Sequence, residues 1–290
     1  MAPAGTPGPA ECVINISEGR DRSVIDAVAG AGAALVLDVH TDAEHHRSVL
    51  TLAGDLPDVE SAVRRVAARA VDTIDLSSHH GVHPRLGAVD VVPFVPLARP
   101  DGTVTPWEHI MAARDAFAAW AGTALGVPCF LYGPERTLPD VRRGAFTTLA
   151  PDTGPPVPHP TAGATAVGAR DVLIAYNVWL AGETADDGPA HVDVGRQLAD
   201  ALRRPGLRTL GLAVGAGAQV SCNVVDPGLV TLAEVFDGVA RGADERGCTV
   251  VRGELVGLLP RSALADVPPS RWAELGLKAE DTIESRLGRV

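Results

Sequence analysis

The chain alternates between two hydrophobic periods, and reading them in order gives a list of strands and helices. Cys12–Ile16 is apolar enough for a short buried strand. Ser17-Glu18-Gly19-Arg20 turns the chain, and Asp21 stands where an N-cap belongs, ahead of a helix with Val24, Ile25 and Val28 inward. Ala34–His40 reads as the next strand. Its side chains should alternate, with Val36, Asp38 and His40 on one face and Leu35, Leu37 and Val39 on the core face. A polar loop runs to His46, and Ser48–Ala53 is a third strand, ended by Gly54. From Pro57 the apolar positions Val59, Val63, Val66, Ala70, Val71 and Ile74 recur at helical spacing. Val89 to Pro96 is again a strand, so this half reads β-α-β-β-α-β, with an added helix (Trp107 to Leu125) and strand (Pro128–Tyr132).

The segment from Pro151 to Pro160 holds five prolines and reads as an extended linker or binding loop. Beyond it the same grammar returns. Val172–Trp179 is a strand, and His191–Leu202 a helix with Val194, Leu198 and Ala201 inward. Thr209–Val214 and Gln219–Val225 are strands, Leu229–Ala243 a helix and Thr249–Leu255 a strand. The fold class expected is therefore α+β, with two ferredoxin-like, split β-α-β lobes. Each lobe should be a mostly antiparallel sheet with helices on one face. Residues 11–171 and 172–290 form the two lobes, with a cleft between them, and residues 1–10 a disordered tail.

Composition narrows the function. At 46% hydrophobic but only 4% aromatic, the core must be built from Val, Leu, Ala and Ile. A net charge of −11 argues against a nucleic-acid partner, whose binding rests on clustered basic residues. No apolar run is long enough to span a bilayer, and the Pro-, Gly- and Ala-rich start lacks the features of a signal peptide. Cys12, Cys129, Cys222 and Cys248 are scattered without a CxxC pair, which suits free thiols in the cytoplasm. Gly30-Ala31-Gly32 and Gly215-Ala216-Gly217 lack the third glycine of a dinucleotide fingerprint and read as tight turns.

Six of the nine histidines sit in two places: His40, His45 and His46, then His79, His80 and His83. Arg47 and Arg85 accompany them. Three imidazoles with Asp42 or Glu44 would make a zinc or iron site. Against it, no ligand pair sits at i, i+4 in a predicted helix and no HExxH is present. The other reading takes one loop histidine as proton shuttle and the arginines as carboxylate clamps. An acidic protein that binds an anionic substrate must concentrate its positive charge at the site.

The run Ser78-His79-His80-Gly81-Val82-His83-Pro84-Arg85-Leu86-Gly87-Ala88-Val89-Asp90 and its continuation Val91-Val92-Pro93-Phe94 resemble the signature of the formiminotransferases. Cys12-Val13-Ile14-Asn15-Ile16-Ser17-Glu18-Gly19-Arg20, Leu131-Tyr132-Gly133, Arg136-Thr137-Leu138-Pro139 and Ile174-Ala175-Tyr176-Asn177 are similar to further blocks of that family. So are Gly163-Ala164-Thr165 with Gly168-Ala169-Arg170, Ala218-Gln219-Val220-Ser221-Cys222-Asn223, and Leu255-Val256-Gly257-Leu258-Leu259-Pro260. The resemblance implies transfer of a formimino group from N-formimino-L-glutamate to N5 of tetrahydrofolate, a co-substrate; the lack of helix-spaced ligand pairs adds the expectation of no metal. It implies His83 as the catalytic residue and folate contacts from Gly154, Pro155, Pro156, Val157, Pro158, His159, Pro160, Thr161, Ala162 and Gly163. Asn15, Arg47, Arg85 and Arg170 are candidates for holding carboxylates or the pterin, and Asp38 and His40 for facing the substrate. A homodimer acting on small molecules is expected. Animal members carry an aspartate where this chain has His40 and an asparagine where it has His46, and the connection between Gly133 and Arg136 is shorter here. An amidine is cationic near neutral pH, so an imidazole at His40 should shift preference toward a neutral formyl donor. Formyl transfer, a metal-dependent amidohydrolase and a non-catalytic folate-binding protein stand as alternatives.

Overall fold

The structure, a computed structural model, describes residues 7–81, 84–182, 188–214 and 217–288. The chain divides into two compact units, 1–171 and 172–290. In the first, β1 (Pro9–Ile16), α1 (Arg22–Ala31), β2 (Val36–Asp42), β3 (Arg47–Asp55), α2 (Leu56–Thr73) and β4 (Val89–Pro96) follow the order expected. The strands stand in the order β2-β3-β1-β4, all antiparallel, which is the split β-α-β arrangement. Asp21 caps α1 by accepting from the amides of Ser23 and Val24. Pro57 sits in the first turn of α2, where its missing N–H costs nothing. Leu56, Val59, Val63, Val66 and Ala70 of that helix are buried against the same sheet face as Cys12, Ile14, Leu50 and Leu52. The fraying expected of residues 1–10 stops short, because β1 starts at Pro9 and Ala10 is wholly buried.

The first unit then adds elements that the periodicity only partly foretold. α3 (Trp107–Trp120) continues into a π turn over Ala121–Leu125 and ends at left-handed Gly126. β5 (Cys129–Tyr132) is followed by α4 (Leu138–Gly144) and β6 (Thr165–Ala169), neither of which the hydrophobic pattern predicted. β6 lies parallel to both β4 and β5 and between them, so the six-stranded sheet is mixed rather than antiparallel throughout. Thr-Ala-Val-Gly-Ala carries little strand propensity, which hid it. Its glycine is needed where it stands, since a Cβ at Gly168 would lie 2.1 Å from the Tyr132 ring.

The second unit repeats the motif with β7 (Ile174–Gly182), α5 (Gly188–Leu202), β8 (Leu207–Val214), β9 (Gly217–Val224), α6 (Leu232–Asp244) and β10 (Cys248–Val256). Its four antiparallel strands run β10-β7-β9-β8. Thr231 and Glu234 close a capping box on α6. On α5, Leu198 is buried and Val194 packs on the same core as read, while Ala201 is exposed and Ala199 takes the inward place instead. All four cysteines are free and buried. No helix among the described residues is long and apolar enough to cross a membrane.

Candidate active site

α1, α2 and α3 pack on one face of the first sheet, and several candidate side chains lie on the other, where α4 packs on Val91, Phe130 and Tyr132. Asn15 and His40 both pair with Val49, one strand to either side, so the three share a row on that face. At a strand spacing of about 5 Å, Asn15 and His40 stand roughly 10 Å apart. Asp38 pairs with Thr51, which pairs with Val13 in turn. Asp38 and His40 therefore keep the common face expected of them. Val36 does not join them. A bulge between Val36 and Asp38 shifts the register, and Val36 packs on the core together with Leu35 and Val39. The Thr51 hydroxyl is buried on this face with no hydrogen-bond partner among the described residues, a polar atom that the sequence did not flag.

Arg47 begins β3 on the same face. Its Nε donates to Asn15 Oδ1 (3.1 Å) and its Nη1 lies 3.3 Å from Asp90 Oδ2. Burial lowers its pKa to about 10 against the pull of Asp90, so it stays cationic. Asp90, only 1% exposed, is the centre of a larger knot. Arg142 of α4 approaches it through Nη2 (2.7 Å) and Nη1 (3.4 Å), and the Leu86 amide donates to Oδ1 (2.7 Å). Burial alone would raise the Asp90 pKa, but Arg47, Arg142 and the hydrogen bonds hold it below the usual carboxylate range. Neither Asp90 nor Arg142 stood among the candidates. The signal for α4 was local, the Thr137–Asp140 capping box.

The histidine loop is tied to the β2–β3 turn. Arg85 donates from Nη1 to the His79 ring and to His46 O (3.5 Å), and from Nη2 to His45 O (3.2 Å). His79 Nε2 meets His46 Nδ1, and His46 Nε2 lies 3.5 Å from Glu18 Oε1. Arg85 can only donate, and its Nη1 reaches both His79 ring nitrogens, Nε2 at 2.9 Å. With Nδ1 as the acceptor, the His79 Nε2–H is left to donate to His46 Nδ1, and the His46 Nε2–H then faces Glu18. Burial, then the Arg85 charge, then His46 push His79 down to about 4. Burial also lowers His46, with Arg20 and Arg85 adding to it against Glu18. Both imidazoles are thus neutral at pH 7. Glu18 Oε1 also accepts from the amides of Gly19, Arg20 and Asp21. The knot is too tight for side chains at its glycines: a Cβ on Gly19 would sit 2.2 Å from Asp42 O, and one on Gly81 2.7 Å from His45 O.

His45 turns away, its Nδ1 bonded to Asp42 Oδ2 (2.7 Å). Burial would raise Asp42, yet the His45 side-chain and backbone hydrogen bonds outweigh it and hold the acid at about 2. His80 is exposed. His83, the expected catalytic residue, lies with Val82 outside the described residues. Its neighbours are placed: Arg142 Nη1 donates to Pro84 O (3.1 Å). Among the described residues no group of three or more potential metal ligands converges.

The proline-rich stretch splits. Thr161 O accepts from Leu76 N (2.8 Å), Ala162 O from Ala88 N (2.9 Å), and Ala164 N donates to Leu86 O (2.9 Å), so the stretch from Thr161 to Ala164 is laced to both ends of the histidine loop. Gly154, at φ +84°, instead packs on Gly122 after α3, where a Cβ would lie 3.0 Å from its Cα. Pro156, Val157, Pro158 and Pro160 are exposed, Pro155 is half-buried, and His159 Nδ1 accepts from Ala162 N (3.0 Å). Arg170 donates to Asp171 O (2.9 Å) and to the Tyr132 phenol, whose pKa burial pushes up to about 12. The three arginines expected to clamp carboxylates, Arg47, Arg85 and Arg170, thus each donate to protein acceptors, and their first effect is to hold the site together.

Residues 9–170 match the family model described as the formiminotransferase domain, N-terminal subdomain, and residues 175–270 that described as the formiminotransferase domain. The chain belongs to the formiminotransferase family. Glutamate formimidoyltransferase of Streptococcus pyogenes serotype M1 is 35% identical over 297 residues, covering 93% of this chain and 94% of that protein. The enzyme of the same name from Thermoplasma acidophilum is 33% identical, covering 89% and 90%. Formimidoyltransferase-cyclodeaminase of Sus scrofa is 36% identical over 88% of this chain but only 51% of its own length, so this formiminotransferase spans about half of that bifunctional relative.

Proposed function

We propose that this formiminotransferase moves the formimino group of N-formimino-L-glutamate to N5 of tetrahydrofolate, giving 5-formiminotetrahydrofolate and glutamate. What carries the reading is the match of both units to the family, together with the tightly held loop around His83. N5 attacks the amidine carbon, a tetrahedral adduct forms, and the bond to the glutamate nitrogen breaks. The proton lost by N5 ends on that nitrogen, and His83 is the residue placed by sequence to carry it. His79 and His46, neutral and engaged with each other, would not compete for that proton. The cytoplasm suits the four buried thiols, and a homodimer is the assembly the family resemblance implies.

The test is turnover with tetrahydrofolate and either donor, in wild type and His83→Ala. Loss of a general acid–base should lower kcat by about 10²–10⁴-fold with the fold intact. Faster turnover of N-formylglutamate would select the formyl reading, and folate binding without turnover the non-catalytic one. An unimpaired His83→Ala would remove that residue from the mechanism.

A further inference from the structure

We infer that Arg142, on α4 and outside the histidine loop, is a positioning residue that clamps the segment following His83. The inference deepens the transferase reading and rests on it for its kinetic arm. One guanidinium holds both flanks of Arg85. Its Nη1 donates to Pro84 O (3.1 Å), while its Nη2 binds Asp90 Oδ2 (2.7 Å), and Asp90 Oδ1 in turn holds the Leu86 amide (2.7 Å). Pro84 immediately follows His83, so the carbonyl that Arg142 grips belongs to the next peptide unit along the chain. The supports are themselves fixed. α4 is closed by the reciprocal Thr137–Asp140 capping box, and Asp90 Oδ2 is also met by Arg47 Nη1 (3.3 Å).

A planar fork is what this geometry requires. It reaches a carboxylate and a carbonyl at once from one side chain, which the single ammonium of lysine cannot reproduce at both places. Removing it would take the Arg142 donor from Pro84 O and leave the Asp90 carboxylate with Arg47 as its one charged partner among the described contacts. Small displacements are costly in such a setting, since a shift of about 1 Å in a reacting group can lower rate by roughly 10²-fold. A clamp of this kind alters how often the loop is in register, not how substrates bind.

The experiment uses the full chain with Arg142→Lys and Arg142→Gln. In turnover, kcat should fall by about 10–100-fold while KM for both substrates stays within about threefold. Independently of activity, limited trypsin digestion followed by mass spectrometry reads the Arg85–Leu86 bond. That bond should be cut at least about tenfold faster in both variants, relative to sites in residues 172–290, as expected when local opening exposes a bond. Intact kcat with wild-type cutting would overturn the inference. So would a raised KM with kcat unchanged, which would make Arg142 a substrate contact. Faster cutting at every site in both variants would assign it to holding the fold. If the wild type turns over neither donor, the transferase reading fails, and the digestion still decides whether Arg142 clamps the loop.

Discussion

Gly87→Ala is the sharpest test of how the histidine loop is held. Gly87 crosses the end of the 154–163 stretch so closely that an added Cβ would lie 2.0 Å from Ala164 O and 2.7 Å from Ala162 O. A carbon rarely approaches a carbonyl oxygen closer than about 3.3 Å, so the two backbones must part by roughly 1 Å. That stretches two 2.9 Å hydrogen bonds, Ala88 N to Ala162 O and Ala164 N to Leu86 O, to nearly 4 Å, well beyond the limit of about 3.2 Å. Overpacking costs about 1–3 kcal/mol and each lost bond about 1 kcal/mol, for a total of about 3–5 kcal/mol. The unfolded-state gain from replacing glycine, about 0.4–1 kcal/mol, does not offset this. For a unit of 171 residues, with about 2–4 °C lost per kcal/mol, the transition should fall by roughly 6–20 °C. Thermal unfolding followed by circular dichroism, with turnover measured on the same preparation, checks both. A variant that loses less than about 1 kcal/mol and keeps full activity would refute the lacing of loop to stretch.

Two further outcomes concern charge and metal. His79 is held at about 4 in the folded chain, against about 6.5 unfolded, so the unfolded chain takes up the proton first and stability drops as pH falls from 6.5 toward 4. The full linkage would be about 3 kcal/mol; discounted for the partial exposure of the ring it is about 1–2 kcal/mol. Proton NMR titration of the histidines reads it directly, and a His79 that titrates near 6.5 would dissolve the Arg85–His79–His46–Glu18 chain. Activity should also survive exhaustive chelation. Elemental analysis showing one zinc per chain, with activity tracking its content, would favour the amidohydrolase reading instead.

The regular elements were legible because their physics is local. Asp21 announces α1, Pro57 opens α2, and the run Val89–Pro96 gives β4 to the residue. What stayed hidden depends on distant partners. β6 is made of Ala, Gly, Val and Thr and is a strand because β4 and β5 flank it. The bulge at the start of β2 is invisible to an alternation rule, and it moved Val36 to the core while leaving Asp38 and His40 together. At the site, residue types pointed to the right loop but not to its wiring. Arg85 read as a substrate clamp and is bonded to His79 and two backbone carbonyls, whereas Arg142 and Asp90, which fix the loop, carry no signal beyond charge.

The site is a knot of five separate stretches of chain: the end of β1 with Glu18, the β2–β3 turn, the histidine loop, Arg142, and Thr161 to Ala164. Synthesis delivers these stretches in sequence, and the last arrives some 150 residues after the first. While the nascent chain still ends before Ala164, the β-α-β-β-α-β motif can form but the histidine loop has nothing to lace to. Closing so many long-range contacts at once is slow compared with local helix formation. The first unit should therefore leave the ribosome as a folded sheet with an unfinished site, and acquire the finished one in a single late step. Chains truncated in the 150s should report this as protected strands beside a loop still open to protease.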